Sequence, residues 1–94
     1  MPHDQHLLKI IRAAADSGNV GFTIHANKRM KQRGISADMV FSALKKGKTD
    51  REPEPNANFG STELELHHYC AGVNYSVIVA VIEGDVFITV VTVY

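Results

Sequence analysis

The feature that most constrains this chain is a change of hydrophobic period about two thirds of the way along its 94 residues. The last third contains β-branched, largely apolar runs at 73–82 (VNYSVIVAVI) and 86–94 (VFITVVTVY), preceded by the strictly alternating sequence TELELH. Runs of this kind, bounded by Gly72 and Gly84, are typical of strands joined by tight turns. We therefore predict a meander of at least three antiparallel strands over 62–94, with the last strand at an edge.

The first half of the chain has helical spacing instead. Apolar residues such as Leu7, Leu8 and Ile11 recur three to four positions apart. Thr23 and Ser36 are suitable residues for starting helices, and Gly34 is suitable for ending one. This pattern predicts helices over 3–16, 24–33 and 37–46.

The segments between these elements are less regular. Gly21 to Ile24 is either a short strand or the lead-in to the second helix. Lys48 to Glu54 has the composition of a short strand followed by a turn, and the prolines and asparagines after it predict a loop to about Ser61. We expect one domain over 1–94 of the α+β class, mainly helical over 1–47, with N-terminal helices packed on one face of a small antiparallel β-sheet.

Composition excludes several classes of protein. No apolar run reaches the roughly 18 residues of a membrane helix, and the N-terminal sequence MPHDQHLLKII lacks the features of a secretory signal. The single cysteine, Cys70, leaves no partner for an internal disulfide and is typical of a reducing compartment. We therefore expect a cytoplasmic protein with no membrane association.

The net charge of zero conceals a strong division between the two halves of the chain. Residues 1–51 contain ten Lys/Arg and four Asp/Glu, a balance of +6, whereas residues 52–94 contain six Asp/Glu and no Lys or Arg, a balance of −6. Two explanations remain open. Either the halves attract each other in the folded protein, or the basic half binds an anionic partner such as nucleic acid.

The basic charge is concentrated in the sequence FTIHANKRMKQRGI, residues 22–35, and no acidic residue occurs between 17 and 37. His25, Arg29 and Arg33 are four residues apart and form one row along a helix face, with Lys28 and Lys31 beside them. Guanidinium groups bind phosphate through two parallel hydrogen bonds, so this row predicts a phosphate-binding function.

Other chemistries have little support in the sequence. His67 and His68 are adjacent on a predicted strand and point to opposite faces, so they cannot chelate one ion together. Cys70 stands alone beside apolar residues, and no nucleophile or nucleotide-binding motif is present. The helix over 37–46 is too apolar to serve as a DNA recognition helix. We expect neither a metal ion nor another cofactor.

The basic helix contains the groups needed for metal-independent RNA cleavage, in which the ribose 2′-hydroxyl attacks the adjacent phosphate. His25 can transfer a proton near neutral pH, while Arg29 and Arg33 hold the phosphate. Tyr94 can serve as an acid or as a surface on which a base stacks. By strand parity, Thr92 shares a face with Tyr94, and Thr89 lies on the opposite face. A simpler interpretation also remains open, in which His25 caps or packs the helix and the cations are only solvated.

These residues resemble a bacterial family known as domain of unknown function 4258. That family has a Thr-x-His-Ala-x-x-Arg-Met-x-x-Arg-Gly-Ile start and a Val-Thr-Val-Tyr-like end, and the resemblance covers about Phe22 to the last residue. The matching residues are Thr23, His25, Ala26, Arg29, Met30, Arg33, Gly34, Ile35, Val91, Thr92, Val93 and Tyr94.

The family is in turn similar to RelE/ParE-type toxin nucleases, in which N-terminal helices pack on an antiparallel sheet. This resemblance implies a metal-independent endoribonuclease with His25, Arg29, Arg33 and Tyr94 as catalytic residues. It implies phosphate contacts from Lys28, Lys31 and Thr92, and an antitoxin-like protein partner. The sheet half lacks the basic residues common in such toxins, so a non-catalytic module that binds RNA or protein is the alternative. A homodimer through the last strand is a third expectation, since an apolar edge strand needs cover.

Overall fold

The computed structural model describes residues 2–49, 51–56, 60–70, 72–82 and 84–94. Among the described elements, three helices and one short strand make up the first half of the chain, and strands follow one another in the second half. The elements are α1 (Pro2–Ser17), β1 (Val20–Phe22), α2 (Ile24–Arg33), α3 (Ala37–Lys46), β2 (Glu54–Asn56), β3 (Ser61–Cys70), β4 (Val73–Val81) and β5 (Ile88–Val93).

Capping residues set the ends of α2 and the start of α3, as the sequence predicts. The hydroxyl of Thr23 accepts a hydrogen bond of 2.9 Å from the backbone N–H of Ala26, and that of Ser36 accepts one of 3.2 Å from Met39. Gly34 ends α2 with φ of 67°, a left-handed conformation that a residue without a Cβ adopts easily. The two helices are therefore joined by a short, well-defined connection.

The predicted α+β class is confirmed, but the sheet is mixed rather than wholly antiparallel. Its strand order is β1-β5-β4-β3-β2. The last three strands form the predicted meander, whereas β1 pairs in parallel with β5, from Val20 opposite Ile88 to Phe22 opposite Val90. Since β1 has only three residues, it is too short for a hydrophobic period to reveal it.

The expectation that the last strand lies at an edge is wrong. β5 has β4 on one side and β1 on the other, and Thr23 extends this second side with a hydrogen bond to the carbonyl of Val90. Backbone groups that are already paired within the chain cannot pair with a second copy. The homodimer was expected from an edge position that β5 does not have, and the homodimer itself stays a prediction.

A β-bulge changes the side-chain parity of β5. Ile78 pairs with Thr92 but Val79 pairs with Val90, so Val91 is an extra residue on β5. The prediction that Thr89 and Tyr94 lie on opposite faces is therefore wrong, because the extra residue brings them to the same face.

The sheet has two different faces. One contributes buried residues such as Leu64, Leu66 and Val77 to a hydrophobic core shared with the three described helices. We call the opposite face the open face. The open face carries Glu63, Glu65, His67, Ser76, Ile78, Ala80, Thr89, Thr92 and Tyr94.

Among the described residues, no helix is long and apolar enough to cross a bilayer.

The region predicted as a strand followed by a loop is arranged differently. Lys48 forms an isolated bridge with His67, while Glu54–Asn56 forms the edge strand β2 beside β3. Proline is tolerated in β2 because one side of an edge strand has no hydrogen-bonding partner. The part of the predicted loop at 57–59 lies outside the described residues.

Candidate functional site

The basic helix α2 is fixed to the sheet at its first turn. The side chain of Thr23 donates a hydrogen bond of 2.8 Å to the carbonyl of Val91 and also caps the helix. Its backbone N–H donates to the carbonyl of Val90 at 3.1 Å. His25 therefore lies in the first turn of α2, which starts next to Val90 and Val91 in β5.

Within the described ranges, the cationic side chains of α2 have no acidic partner at ion-pair distance. His25, Lys28, Lys31 and Arg33 are all exposed. The described ion pairs join Lys45 to Asp16 at 3.8 Å and Arg51 to Glu65 at 3.1 Å, and within the described ranges none involves α2. Attraction between the two halves of the chain therefore does not explain the basic row on this helix.

Arg29 differs from its neighbours because it is half-buried. Its Nε atom is shielded from solvent and has no hydrogen-bond partner in the part of the chain that the structure describes. Since a shielded guanidinium nitrogen without an acceptor is unfavourable, Arg29 is suited to receive an anion at this position.

A second polar cluster lies on the open face around Glu65. Its side chain is 7% exposed. Oε1 lies 3.1 Å from Nε of Arg51, and Oε2 accepts a hydrogen bond from the hydroxyl of Tyr94. Charged hydrogen bonds of this kind offset the cost of removing a carboxylate from water.

His67 lies two residues beyond Glu65 on the same face of β3. Its Nδ1 atom is 2.7 Å from Oγ of Ser76, the residue opposite it on β4. The backbone of Ser76 also exchanges two hydrogen bonds with Tyr94. His67, Ser76 and Tyr94 therefore form one row across three strands, next to the row that contains Glu65 and Thr92.

The structure divides the residues predicted to form one site. Tyr94 and Thr92 belong to the open face, as their shared parity predicts, whereas the predicted histidine, arginines and lysines are on α2. Among the described residues, no hydrogen bond or ion pair joins the side chain of Tyr94 to His25, Arg29 or Arg33. Thr23 connects the two groups, because it attaches the start of α2 to β5.

Tyr75 and Cys70 lie on the core side of the sheet. The hydroxyl of Tyr75 donates a hydrogen bond of 2.5 Å to the carbonyl of Met39 on α3. Burial, with a smaller contribution from Cys70, raises the pKa of Tyr75 to about 12. Tyr75 thus packs the sheet against α3.

The contacts of Arg51, Glu65 and Ser76 are not predicted by the sequence, and His67 is predicted there only not to share a metal ion with His68. The alternation in TELELH does place Glu65 and His67 on one face. Their partners depend on strand order and register, which a single sequence does not provide.

The chain belongs to the family described as domain of unknown function (DUF4258), whose model matches residues 22–94. This confirms the family predicted from the sequence and leaves the whole of α1 outside the match. No curated protein and no solved structure matches the chain. The likeness to RelE/ParE-type toxins therefore stays a prediction.

Proposed function

We propose that this protein is a metal-independent endoribonuclease of the RelE-like toxin type that acts in the cytoplasm. The observation that carries the proposal is the row of cations on α2, which has no acidic partner among the described residues although Thr23 anchors the helix firmly. An anchored cationic surface of this kind favours binding of the phosphate backbone of a nucleic acid. Arg29, with its shielded Nε atom, is the strongest anion ligand of the set.

RNA cleavage of this kind needs no external nucleophile, because the ribose supplies its 2′-oxygen. That oxygen attacks the adjacent phosphorus, the bond to the 5′-oxygen breaks, and the products carry a 2′,3′-cyclic phosphate and a 5′-hydroxyl. Arg29 and Arg33 would stabilise the charge that develops on the phosphate. His25 would donate a proton to the leaving 5′-oxygen. Lys28, Lys31 and Thr92 would contribute further contacts to the phosphate backbone.

A non-catalytic module that binds RNA or protein through α2 is the second candidate. The hydrogen bond between the Tyr94 hydroxyl and Glu65 favours this candidate. Because Tyr94 is engaged there, His25 on α2 is left as the single proton-transfer group of the predicted site. In either case, an antitoxin-like protein that covers α2 would block access to RNA. The two candidates differ in turnover and share the binding surface.

The test is incubation of labelled RNA with the purified protein in EDTA, together with three variants. We expect the wild type to cleave and His25→Ala to lose about 100-fold or more in rate, with RNA affinity nearly unchanged. Arg29→Ala/Arg33→Ala should bind RNA more weakly. Lys9→Ala/Lys46→Ala is the matched control, because it removes two exposed cations from α1 and α3. RNA binding without cleavage by the folded wild type would favour the binding module.

A further inference from the structure

The open face carries a small acidic pocket where β2 and β3 pair. The pocket has a volume of about 80 Å³, and half-buried Ile78 of β4 contributes apolar surface to it. We call this site the acidic pocket. Its charged lining consists of four carboxylates and one guanidinium group, from Glu52, Glu54, Glu63, Glu65 and Arg51.

Two of these carboxylates face each other without a cation between them. Glu54 and Glu63 are direct partners in the antiparallel pairing of β2 with β3, and like charges directly opposite each other destabilise a sheet. Arg51 is directed to Glu65 instead, with Nε at 3.1 Å from Oε1. Over the residues that the structure describes, neither Glu54 nor Glu63 has an ion-pair partner. The pair is therefore suited to receive a cation from outside the molecule.

The exposed side of α2 has a surface that complements the acidic pocket. Ile24, Lys28 and Lys31 are spaced four and three residues apart, so they form one stripe along the helix. We call these three residues the basic stripe. All three are exposed, and Ile24 is 83% exposed although it is apolar. A lysine can pack its apolar stem against a surface while its ammonium group meets a carboxylate.

The basic stripe and the acidic pocket cannot meet within one molecule. α2 packs on the core face of the sheet, where its residue Ala26 belongs to the hydrophobic core, whereas the acidic pocket lies on the open face. We propose that the basic stripe of one copy of this chain binds the acidic pocket of a second copy. In this contact Ile24 lies against Ile78, and the two lysines place their ammonium groups among the carboxylates.

The contact joins two different surfaces, so it is heterologous. A head-to-tail dimer retains one free basic stripe and one free acidic pocket, to which further copies can add. Because the basic stripe belongs to the helix proposed to bind RNA, a bound copy covers that helix and competes with RNA. The self-association itself goes beyond the proposed function and does not depend on it.

The test is sedimentation equilibrium of the purified protein without RNA, in about 50 mM and about 500 mM NaCl. At low salt the average mass should rise with concentration past that of a dimer. At high salt the association should weaken at least about fivefold, because salt screens exposed charges. Ile24→Ser should weaken association about tenfold, because it removes the apolar side chain that the contact buries.

Charge reversal tests whether these two surfaces bind each other. Lys28→Glu/Lys31→Glu and Glu54→Lys/Glu63→Lys should each be monomeric alone, because each variant then carries two surfaces of like charge. An equal mixture of the two variants should associate again, because each reversed surface meets its opposite on the other variant.

Lys9→Glu/Lys46→Glu is the matched control, because it reverses two exposed cations on α1 and α3 and should associate like the wild type. Thermal melting identifies any variant that fails to fold, and Ile24→Ser remains a test if a reversed variant unfolds. A monomeric wild type at low salt, or a mixture of the folded reversed variants that stays monomeric, would overturn the contact. A mass that stops at the dimer would overturn the head-to-tail arrangement. Because these measurements contain no RNA, either result leaves the nuclease proposal standing, and a failure to cleave RNA leaves this contact standing.

Discussion

The hydroxyl of Tyr94 donates a hydrogen bond to Oε2 of Glu65, although β4 lies between the strands to which the two residues belong. Tyr94 directly follows β5, and its backbone pairs with Ser76 on β4. Its side chain therefore reaches across β4 to β3. This contact joins the end of the chain, which carries the family pattern, to a carboxylate that belongs to no recognisable motif.

The anchoring of α2 by Thr23 gives a prediction about stability. Thr23→Val removes both the helix cap and the hydrogen bond to the carbonyl of Val91, so it should lower the free energy of unfolding by about 2 kcal/mol. Thr23→Ser should retain most of that stability. Urea-induced unfolding measures the difference, with Ser36→Ala as the control because its cap has no second bond. A loss in Thr23→Val no larger than that in Ser36→Ala would contradict the double role.

The phosphate contacts predicted for α2 can be counted from salt dependence. Each phosphate contact in single-stranded nucleic acid contributes about −0.7 to the slope of log affinity against log salt. Arg29→Ala/Arg33→Ala should therefore make the slope less steep by roughly 1.4, as measured by fluorescence anisotropy with labelled RNA. Lys9→Ala/Lys46→Ala should leave the slope unchanged. Equal slopes for wild type and the arginine variant would show that α2 does not contact the backbone.

Deprotonation of Tyr75 should lower the stability of the protein at high pH. Its pKa is raised to about 12 in the folded protein by burial, from about 10 in the unfolded chain. The folded state thus holds the phenolic proton more tightly, and the resulting stability is present below pH 10 and is lost as pH rises toward 12. The free energy of unfolding, measured across this range, should fall by roughly 3 kcal/mol because of this group.

Tyr75→Phe is the control for the alkaline effect. It should be less stable than the wild type at neutral pH, because it leaves the carbonyl of Met39 without its hydrogen-bond donor. Its stability should then fall less steeply between pH 10 and 12. Parallel pH curves for the two proteins would assign the alkaline loss to other groups.

Gly47 is required where the chain leaves α3 and crosses β3. A Cβ at this position would collide with the backbone carbonyl of Ala43 and lie 3.2 Å from that of His67. Gly47→Ala should therefore cost about 1–3 kcal/mol in chemical denaturation. Gly21→Ala is the control, because the carbonyl of Ile88 would be 3.9 Å from the new Cβ, an ordinary van der Waals contact. Equal stabilities would contradict the close approach.

Local sequence signals predicted the elements that have a clear period or a cap. The α+β class, the three helices and the meander follow from such signals, and so does the placement of Glu65 and His67 on one face. Strand order did not follow, because β1 has three residues and its partner β5 is far away in the chain. The bulge at Val91 also has no sequence signal of its own, yet it decides which β5 side chains face Glu65.

The residues of the candidate site could also be predicted only in part from the sequence. The cations of α2 were identified from their four-residue spacing and from the absence of acidic neighbours. Arg51 could not be assigned to Glu65 from the sequence, because that ion pair depends on the path of the chain between α3 and β2. The sequence therefore predicted a phosphate-binding helix but missed the carboxylate paired with Tyr94.

The most direct test of the central claim is the chemistry of the cleaved ends. A defined RNA is incubated with the protein in EDTA beside the same RNA carrying a single 2′-deoxy nucleotide at the mapped cleavage position. We expect a 2′,3′-cyclic phosphate and a 5′-hydroxyl at the cut, with no cleavage where the 2′-hydroxyl is missing. Cleavage of the 2′-deoxy substrate at an undiminished rate, or a 5′-phosphate at the cut, would contradict attack by the ribose 2′-oxygen.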